Sequence, residues 1–173
     1  VVGDPVLRSA AAEITDIDGR LVKLADDMFE TMYEAPGLGL AAPQVGVGKR
    51  LFVYDLDPED RGEPGVLVNP HIVESRGEWT YEEGCLSIPG MSFEIVRPKE
   101  VHLVGFDLEG NEVSIEADEL TARLFQHELD HLDGVLMTER MDPDTKKIAL
   151  KEIRAMRERV HADAAESKGL RLV

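Results

Sequence analysis

One cysteine is all this chain contains, Cys85 among 173 residues, so an intrachain disulfide is excluded and packing must hold the core. Missing too is any apolar run approaching the roughly 20 residues that span a bilayer. Val1, Val2, Gly3, Asp4 and Pro5 lack the charged and apolar regions of a signal peptide. We therefore expect a cytosolic protein without membrane contact; a start at Val1 rather than Met leaves room for a removed leading segment, such as an organellar transit peptide. Basic residues are scarce, 19 against 35 acidic ones, giving a formal net charge of -16. A surface of that sign repels phosphate backbones, which excludes a general DNA binder.

What is present fits one ordinary soluble domain over residues 1–173: 43% hydrophobic and 31% charged residues, with no linker or repeat. Across residues 21–33, Leu21, Leu24, Ala25, Met28, Phe29 and Met32 recur at three- and four-residue spacing, predicting a helix that stops at Pro36 and Gly37. Between residues 50 and 106 the pattern changes to short β-rich runs, at 51–54, 66–68, 72–73 and 101–104. Glu109, Gly110 and Asn111 signal a hairpin leading to Val113 and Ile115. Asp118 is placed to cap a helix on which Leu120, Leu124, His127, Glu128 and His131 share a face, with Gly134 as its stop. Asp142 and Pro143 open a last helix, to about residue 165, with Ile148, Ile153, Met156 and Val160 as its apolar stripe. That helix is locally basic: between residues 145 and 161, Lys146, Lys147, Lys151, Arg154, Arg157 and Arg159 face only Glu152 and Glu158.

The chemistry concentrates in His127-Glu128-Leu129-Asp130-His131. Two imidazoles four residues apart on a helix lie one turn, about 5.4 Å, above each other and can grip one metal ion. Glu128 stands beside that ion, placed to accept a proton from water. The third ligand separates the readings. A metzincin protease would need His at residue 137, where this chain has Met137. A thermolysin-like endopeptidase would need a downstream acid, for which Glu152 is the candidate. Cys85 is the better solution, because Gly84 beside it frees the backbone to present a thiolate, and two histidines with one cysteine leave a coordination position open. A non-catalytic domain that keeps the ligands for structure alone is the remaining alternative.

Three segments in this order, Gly37-Leu38-Gly39-Leu40-Ala41-Ala42-Pro43-Gln44, Glu83-Gly84-Cys85-Leu86-Ser87 and Gln126-His127-Glu128-Leu129-Asp130-His131-Leu132, resemble the peptide deformylase family. The opening from Gly3 to Arg8 is similar to the family's N-terminus. The resemblance implies a hydrolase that removes the formyl group from the N-terminal formyl-methionine of nascent polypeptides. It implies that Cys85, His127 and His131 hold the metal, that Glu128 moves the proton, and that the Gln44 side chain and the Leu86 backbone N–H stabilise the oxyanion. Leu38, Gly39 and Leu124 are the candidates for lining the methionine pocket. Ferrous iron is the implied native metal, although the ligand set also suits Zn(II), Ni(II) or Co(II). For the basic last helix, the resemblance implies docking on the ribosome, against the plainer reading of a solvated face. The implied setting is the cytoplasm of a bacterium. The expected fold is α+β: mixed, mainly antiparallel sheets packed around a central metal-binding helix, with an N-terminal and a C-terminal helix.

Overall fold

The computed structural model describes residues 4–57 and 64–169, with side chains through Arg159. Its elements are α1 (Gly19–Glu34), β1 (Gly39–Ala41), β2 (Leu51–Tyr54), β3 (Gly65–Arg76), β4 (Trp79–Cys85), β5 (Ile88–Arg97), β6 (Glu100–Phe106), β7 (Glu112–Asp118), α2 (Glu119–Asp133) and α3 (Pro143–Gly169). Five strands form one sheet in the order β1-β2-β3-β6-β7, while β4 and β5 form a separate hairpin. Every strand pairing is antiparallel. The α+β expectation holds, with three helices as foreseen.

Alternation along β2 shows how the layers are built. Successive side chains on a strand point to opposite faces. Leu51 and Val53 enter one cluster with Leu21, Ala25, Met28 and Met32 of α1. Phe52 enters another with Phe125, Leu129 and Leu132 of α2. The sheet therefore lies between α1 and α2, and β2 is buried on both faces, which is why residues 51–54 read as a continuous apolar run. Each fully buried Leu, Met or Phe contributes about 1.5–3 kcal/mol, so these two clusters supply much of the fold's stability. A third cluster joins Ile88 and Ile95 of β5 to Met137, Met141, and Ala149 and Ile153 of α3. It covers the hairpin.

Several expectations need correction. The runs at 66–68 and 72–73 belong to one strand, β3, whose register shifts against β6 on either side of His71–Ile72. The irregular pairing breaks the two-residue period that would have marked one continuous strand. Asp118 precedes α2 but makes no capping hydrogen bond; the Glu119 N–H donates instead to the Lys99 carbonyl. Leu120 is 43% exposed, unlike the rest of its supposed face. On α3 the buried positions are Ala149 and Ile153, with Met156 half-buried, whereas Ile148 points outward at 57% exposure. The small Ala149 lets the helix approach β5 closely, and that rotates the stripe away from Ile148. Val160 lies outside the described side chains.

Other local signals are borne out. Asp142 accepts from the Asp144 and Thr145 N–H groups and caps α3, and β6 and β7 pair as the hairpin predicted from Glu109-Gly110-Asn111. Gly134 ends α2 with φ 71°, its N–H reaching the Asp130 and His131 carbonyls. A Cβ there would stand 2.8 Å from the Arg8 carbonyl carbon, so the glycine serves both the left-handed turn and the packing of the N-terminal segment. Gly134→Ala should destabilise the protein by about 1–3 kcal/mol, read as a lower urea midpoint with an unchanged slope; an unchanged midpoint would show that the N-terminal segment yields freely.

Candidate active site

All of residues 122–132 of α2 are buried, although six of them are polar: Arg123, Gln126, His127, Glu128, Asp130 and His131. Burial of charge is tolerated only where it is paired or hydrogen-bonded. Phe125, Leu129 and Leu132 face the sheet, so the polar side chains are left for the β4–β5 hairpin and the cavity beside it. Arg123, His127 and Asp130 follow at spacings of four and three, which puts them on one stripe of the helix.

Glu83 of β4 is the acceptor around which this stripe is organised. Its Oε1 accepts from Arg97 Nη2 at 2.7 Å and from His127 Nδ1 at 2.6 Å. Its Oε2 accepts from Arg97 Nε and Arg123 Nη1, both at 2.8 Å. Burial opposes its ionisation, but the Arg97 guanidinium and His127 outweigh that and hold its carboxyl well below the usual carboxylate range. Arg97 Nη1 also reaches Asp130 Oδ2 at 2.8 Å. Arg123 further donates to the Trp79 and Ile95 carbonyls and lies over the Trp79 ring, 5.2 Å from its centroid. The hairpin is thus tied to α2 by charge-assisted hydrogen bonds.

That tie delivers Cys85, the last residue of β4, to the two histidines. Cys85 Sγ lies 3.3 Å from His131 Nε2, which lies 3.2 Å from His127 Nε2. The three donor atoms fall within 4.8 Å of one another and form the metal-capable cluster among the described residues. A tetrahedral ion with metal–nitrogen bonds of about 2.0–2.1 Å and a metal–sulfur bond of about 2.3 Å separates its donors by roughly 3.3–3.6 Å. The 3.3 and 3.2 Å separations match those of such an ion. Donation from Nδ1 to Glu83 also fixes the His127 tautomer that leaves the Nε2 lone pair free for a metal. Burial disfavours the Cys85 thiolate, yet the adjacent imidazoles overcome this and hold the thiol well below its ordinary value. Such a thiol is ready to serve as a ligand.

Cys85 and His127 of this cluster line the floor of a cavity of about 810 Å³, together with Leu38, Gly39, Gln44, Leu86, Leu124 and Glu128 among others. Glu128 is 2% exposed; burial raises its carboxyl above the usual range, and among the described residues its Oε2 has no hydrogen-bond partner. Gly39 makes this possible, because a Cβ there would meet Glu128 Oε1 at 2.6 Å and Leu124 Cδ1 at 2.8 Å. Gln44 Oε1 accepts the Ala41 N–H at 2.8 Å. Its amide is thereby oriented so that Nε2 donates to Ser87 Oγ at 3.3 Å and lies 3.9 Å from Cys85 Sγ. Leu86 occupies the turn between β4 and β5, its side chain against Gly37.

The structure brings every candidate site residue from the three segments to this cavity, except His131, which stands behind it against Cys85 and His127. It does not bring Glu152, which is exposed on α3 and outside the metal-capable cluster, so the thermolysin-like arrangement fails for want of a ligand. Gly84 is not the backbone release expected of it: its φ is not positive, and a Cβ would touch Met91 O at an ordinary 3.5 Å. Cys85 reaches the histidines because the β4–β5 register shifts between Gly84 and Cys85. Sequence reasoning passed over Glu83, Arg97, Arg123 and Asp130. Arg123 and Asp130 carried a signal in their helical spacing from His127, whereas nothing local marked Arg97.

Comparison with known proteins decides the family. A profile of the polypeptide deformylase family matches residues 1–147. The chain belongs to the peptide deformylase family. It is 49% identical over 152 residues to the peptide deformylase of Acidothermus cellulolyticus, covering 88% of this chain and 82% of that one. With peptide deformylase 1 of Corynebacterium efficiens it shares 50% identity over 157 residues, 90% of this chain and 92% of the other. The crystal structure of a peptide deformylase from Legionella pneumophila superimposes with a TM-score of 0.86 at 40% identity, over 93% of this chain and 94% of that chain. The chain is accordingly a hydrolase of a metal-dependent family, and the non-catalytic alternative is not favoured.

Arg97 offers a test of the deformylase scaffold apart from its chemistry. Arg97→Met removes the guanidinium shared by Glu83 and Asp130, and breaking a buried pair in this way costs about 3–5 kcal/mol. Urea unfolding of the metal-free protein should register that loss; a change below about 1 kcal/mol would mean that Arg123 and Arg140 alone compensate the two carboxylates.

Proposed function

We propose that the chain, as a single catalytic domain, removes the formyl group from the N-terminal formyl-methionine of nascent polypeptides and releases formate. Cys85, His127 and His131 hold one divalent metal ion in this reading. The convergence of their three donor atoms at the cavity floor is the observation that carries it. Such an ion would supply Lewis acidity and lower the pKa of water from about 15.7 toward about 7.

The chain's own groups divide the remaining work. Glu128 takes a proton from the attacking water and delivers it to the departing amine; its unpartnered Oε2 and raised carboxyl pKa support that role. Gln44 Nε2 and the Leu86 backbone N–H donate to the oxyanion as negative charge develops on the former carbonyl oxygen. The Ala41–Gln44 bond holds the amide in place beforehand, so little reorganisation is needed during the reaction. Leu38, Gly39 and Leu124 form apolar walls for the methionine side chain. Preference for formyl over acetyl is steric, since a hydrogen is the smallest substituent the cavity must admit. The ligand set suits Fe(II), Zn(II), Ni(II) and Co(II), and the family resemblance favours ferrous iron in the cell.

The decisive measurement is formate release from formyl-Met-Ala-Ser by the iron-loaded protein without oxygen, with an acetylated peptide as control. Turnover is expected only for the formyl peptide. Glu128→Gln should keep the metal and lose roughly 10²–10⁴-fold in kcat, whereas Cys85→Ser should lose the metal. Absence of formate from the fully loaded parent would sink the assignment.

We assign the chain to the cytoplasm of a bacterium, in keeping with its bacterial relatives. Among the described residues no helix is long and apolar enough to cross a membrane. Lys147, Lys151, Arg154 and Arg157 are exposed on α3, and they form the face proposed to dock on ribosomal RNA. Reversing these four to Glu should weaken ribosome binding, with a shallower salt dependence; sedimentation with ribosomes at several salt concentrations measures it, and unchanged co-sedimentation counts against docking.

A further inference from the structure

Beyond the catalytic groups, one partly exposed residue is wired into the site. Arg140 Nη2 lies 2.5 Å from Asp130 Oδ1, and its Nε lies 3.2 and 3.1 Å from Asp130 Oδ1 and Oδ2. Asp130 is buried, at 6% exposure. Its Oδ2 also accepts from Arg97 Nη1, whose Nη2 and Nε grip Glu83. Glu83 in turn accepts from His127 Nδ1. Every link in this chain is 3.2 Å or shorter.

We propose that Arg140 is a positioning residue for the metal centre, acting through Asp130, Arg97 and Glu83 on the orientation of His127. This rests on the reading of Cys85, His127 and His131 as metal ligands. The physical reason is competition for one guanidinium. Arg97 serves two buried carboxylates, and a planar fork gives its strongest, bidentate bond to only one of them at a time. By neutralising Asp130 from the far side, Arg140 leaves the Nε–Nη2 edge of Arg97 to Glu83. Without Arg140, Asp130 would draw Arg97 toward itself, and Glu83 would lose part of the support that fixes the His127 ring.

Two features distinguish Arg140 from an ordinary surface ion pair. Its backbone is fixed, since its N–H bonds to the Met137 carbonyl at the end of a short 3-10 turn whose Met137 and Thr138 are buried. Its carboxylate partner sits on the same helix as both histidine ligands, one residue before His131 and three after His127. A neighbouring pair supplies the control. Arg50 bonds Asp133 of the same helix at 2.6 Å but, among the described residues, makes no bond into the Glu83 chain.

The probe is Co(II) alone, titrated into the metal-free full chain against a chelator, with the visible spectrum recorded. Loss of a direct partner of a ligand costs about 10–100-fold in metal affinity, so Arg140→Gln, two carboxylates removed, should weaken Co(II) binding by roughly three- to tenfold and shift the d–d bands. Arg140→Lys, which keeps the charge but not the three-contact geometry, should fall between. Arg50→Gln should match the parent in both readouts. If Arg140→Gln lowers the unfolding midpoint while affinity and spectrum stay at parent values, or if Arg50→Gln reproduces its effects, the role is only structural and the proposal is overturned. Should Arg140→Gln not fold, Arg140→Lys is judged alone by the same criteria. A parent that fails to bind Co(II), or a Cys85→Ser protein that binds it as tightly, defeats the metal assignment itself and is thereby distinguished from failure of the relay.

Discussion

A carboxylate buried between two guanidiniums and an imidazole is the constraint on which the site depends. Glu83 has little access to water, and an ion moved out of water loses several kcal/mol of solvation unless its lone pairs are filled. Arg97, Arg123 and His127 fill them. Because these partners come from β5 and α2, satisfying Glu83 also fixes how the hairpin meets the helix. Among the described residues the hairpin shares no strand pairing with the main sheet, so side-chain contacts such as this ionic one and the apolar seam to α3 hold it in place. Cys85 ends the strand that carries Glu83, and its approach to the histidines follows from that docking.

Such an arrangement exchanges some stability for geometry. Apolar residues of similar volume often replace a buried ion pair without loss, so the charges are better understood through what they position. His127 is oriented by a carboxylate that two arginines prevent from rotating, and its Nε2 is left aimed at the cysteine and the second histidine. On the cavity side of the same helix, Glu128 meets the opposite treatment: buried, with one oxygen unpartnered, it has a raised carboxyl pKa. Glu83 on β4 and Glu128 on α2, both at this site, are thus driven in opposite directions by their surroundings, one locked as an anion and the other left available to exchange a proton.

Glycine placement completes the cavity in an equally specific way. At Gly39 even a methyl group would collide with Glu128 and Leu124, so the strand β1 can run close beside the acid only with hydrogen as its side chain. Gly37 stands in the same relation to Leu86. The small-residue segment between residues 37 and 44 therefore forms one wall of the cavity and also places Gln44 beside the cysteine.

Residues 51–54, the helix of residues 21–33 and the stop at Gly134 were legible in the sequence, because periodicity and the left-handed turn are local properties. So was the meeting of Cys85, His127 and His131 in a cluster that could hold a metal ion, since His127 and His131 are fixed four apart by the helix and Cys85 is the chain's single thiol. The β4–β5 hairpin was passed over: Met91, Phe93 and Ile95 do alternate with exposed Ser92 and Glu94 along β5, but β4 inverts the usual pattern by burying Glu83 and exposing Tyr81. Nor did the sequence separate Ile148 from Ala149 as the residue facing inward on α3, because the helix's rotation is set by how closely β5 can be approached. Local pattern alone established the helices, the buried strand at residues 51–54 and the residue types that carry the chemistry. Only the tertiary structure decided that Glu83, Arg97, Arg123, Asp130 and Arg140, scattered over 58 residues, meet as one buried ionic network, because a charge's partner depends on which surfaces pack together and not on its neighbours in the chain.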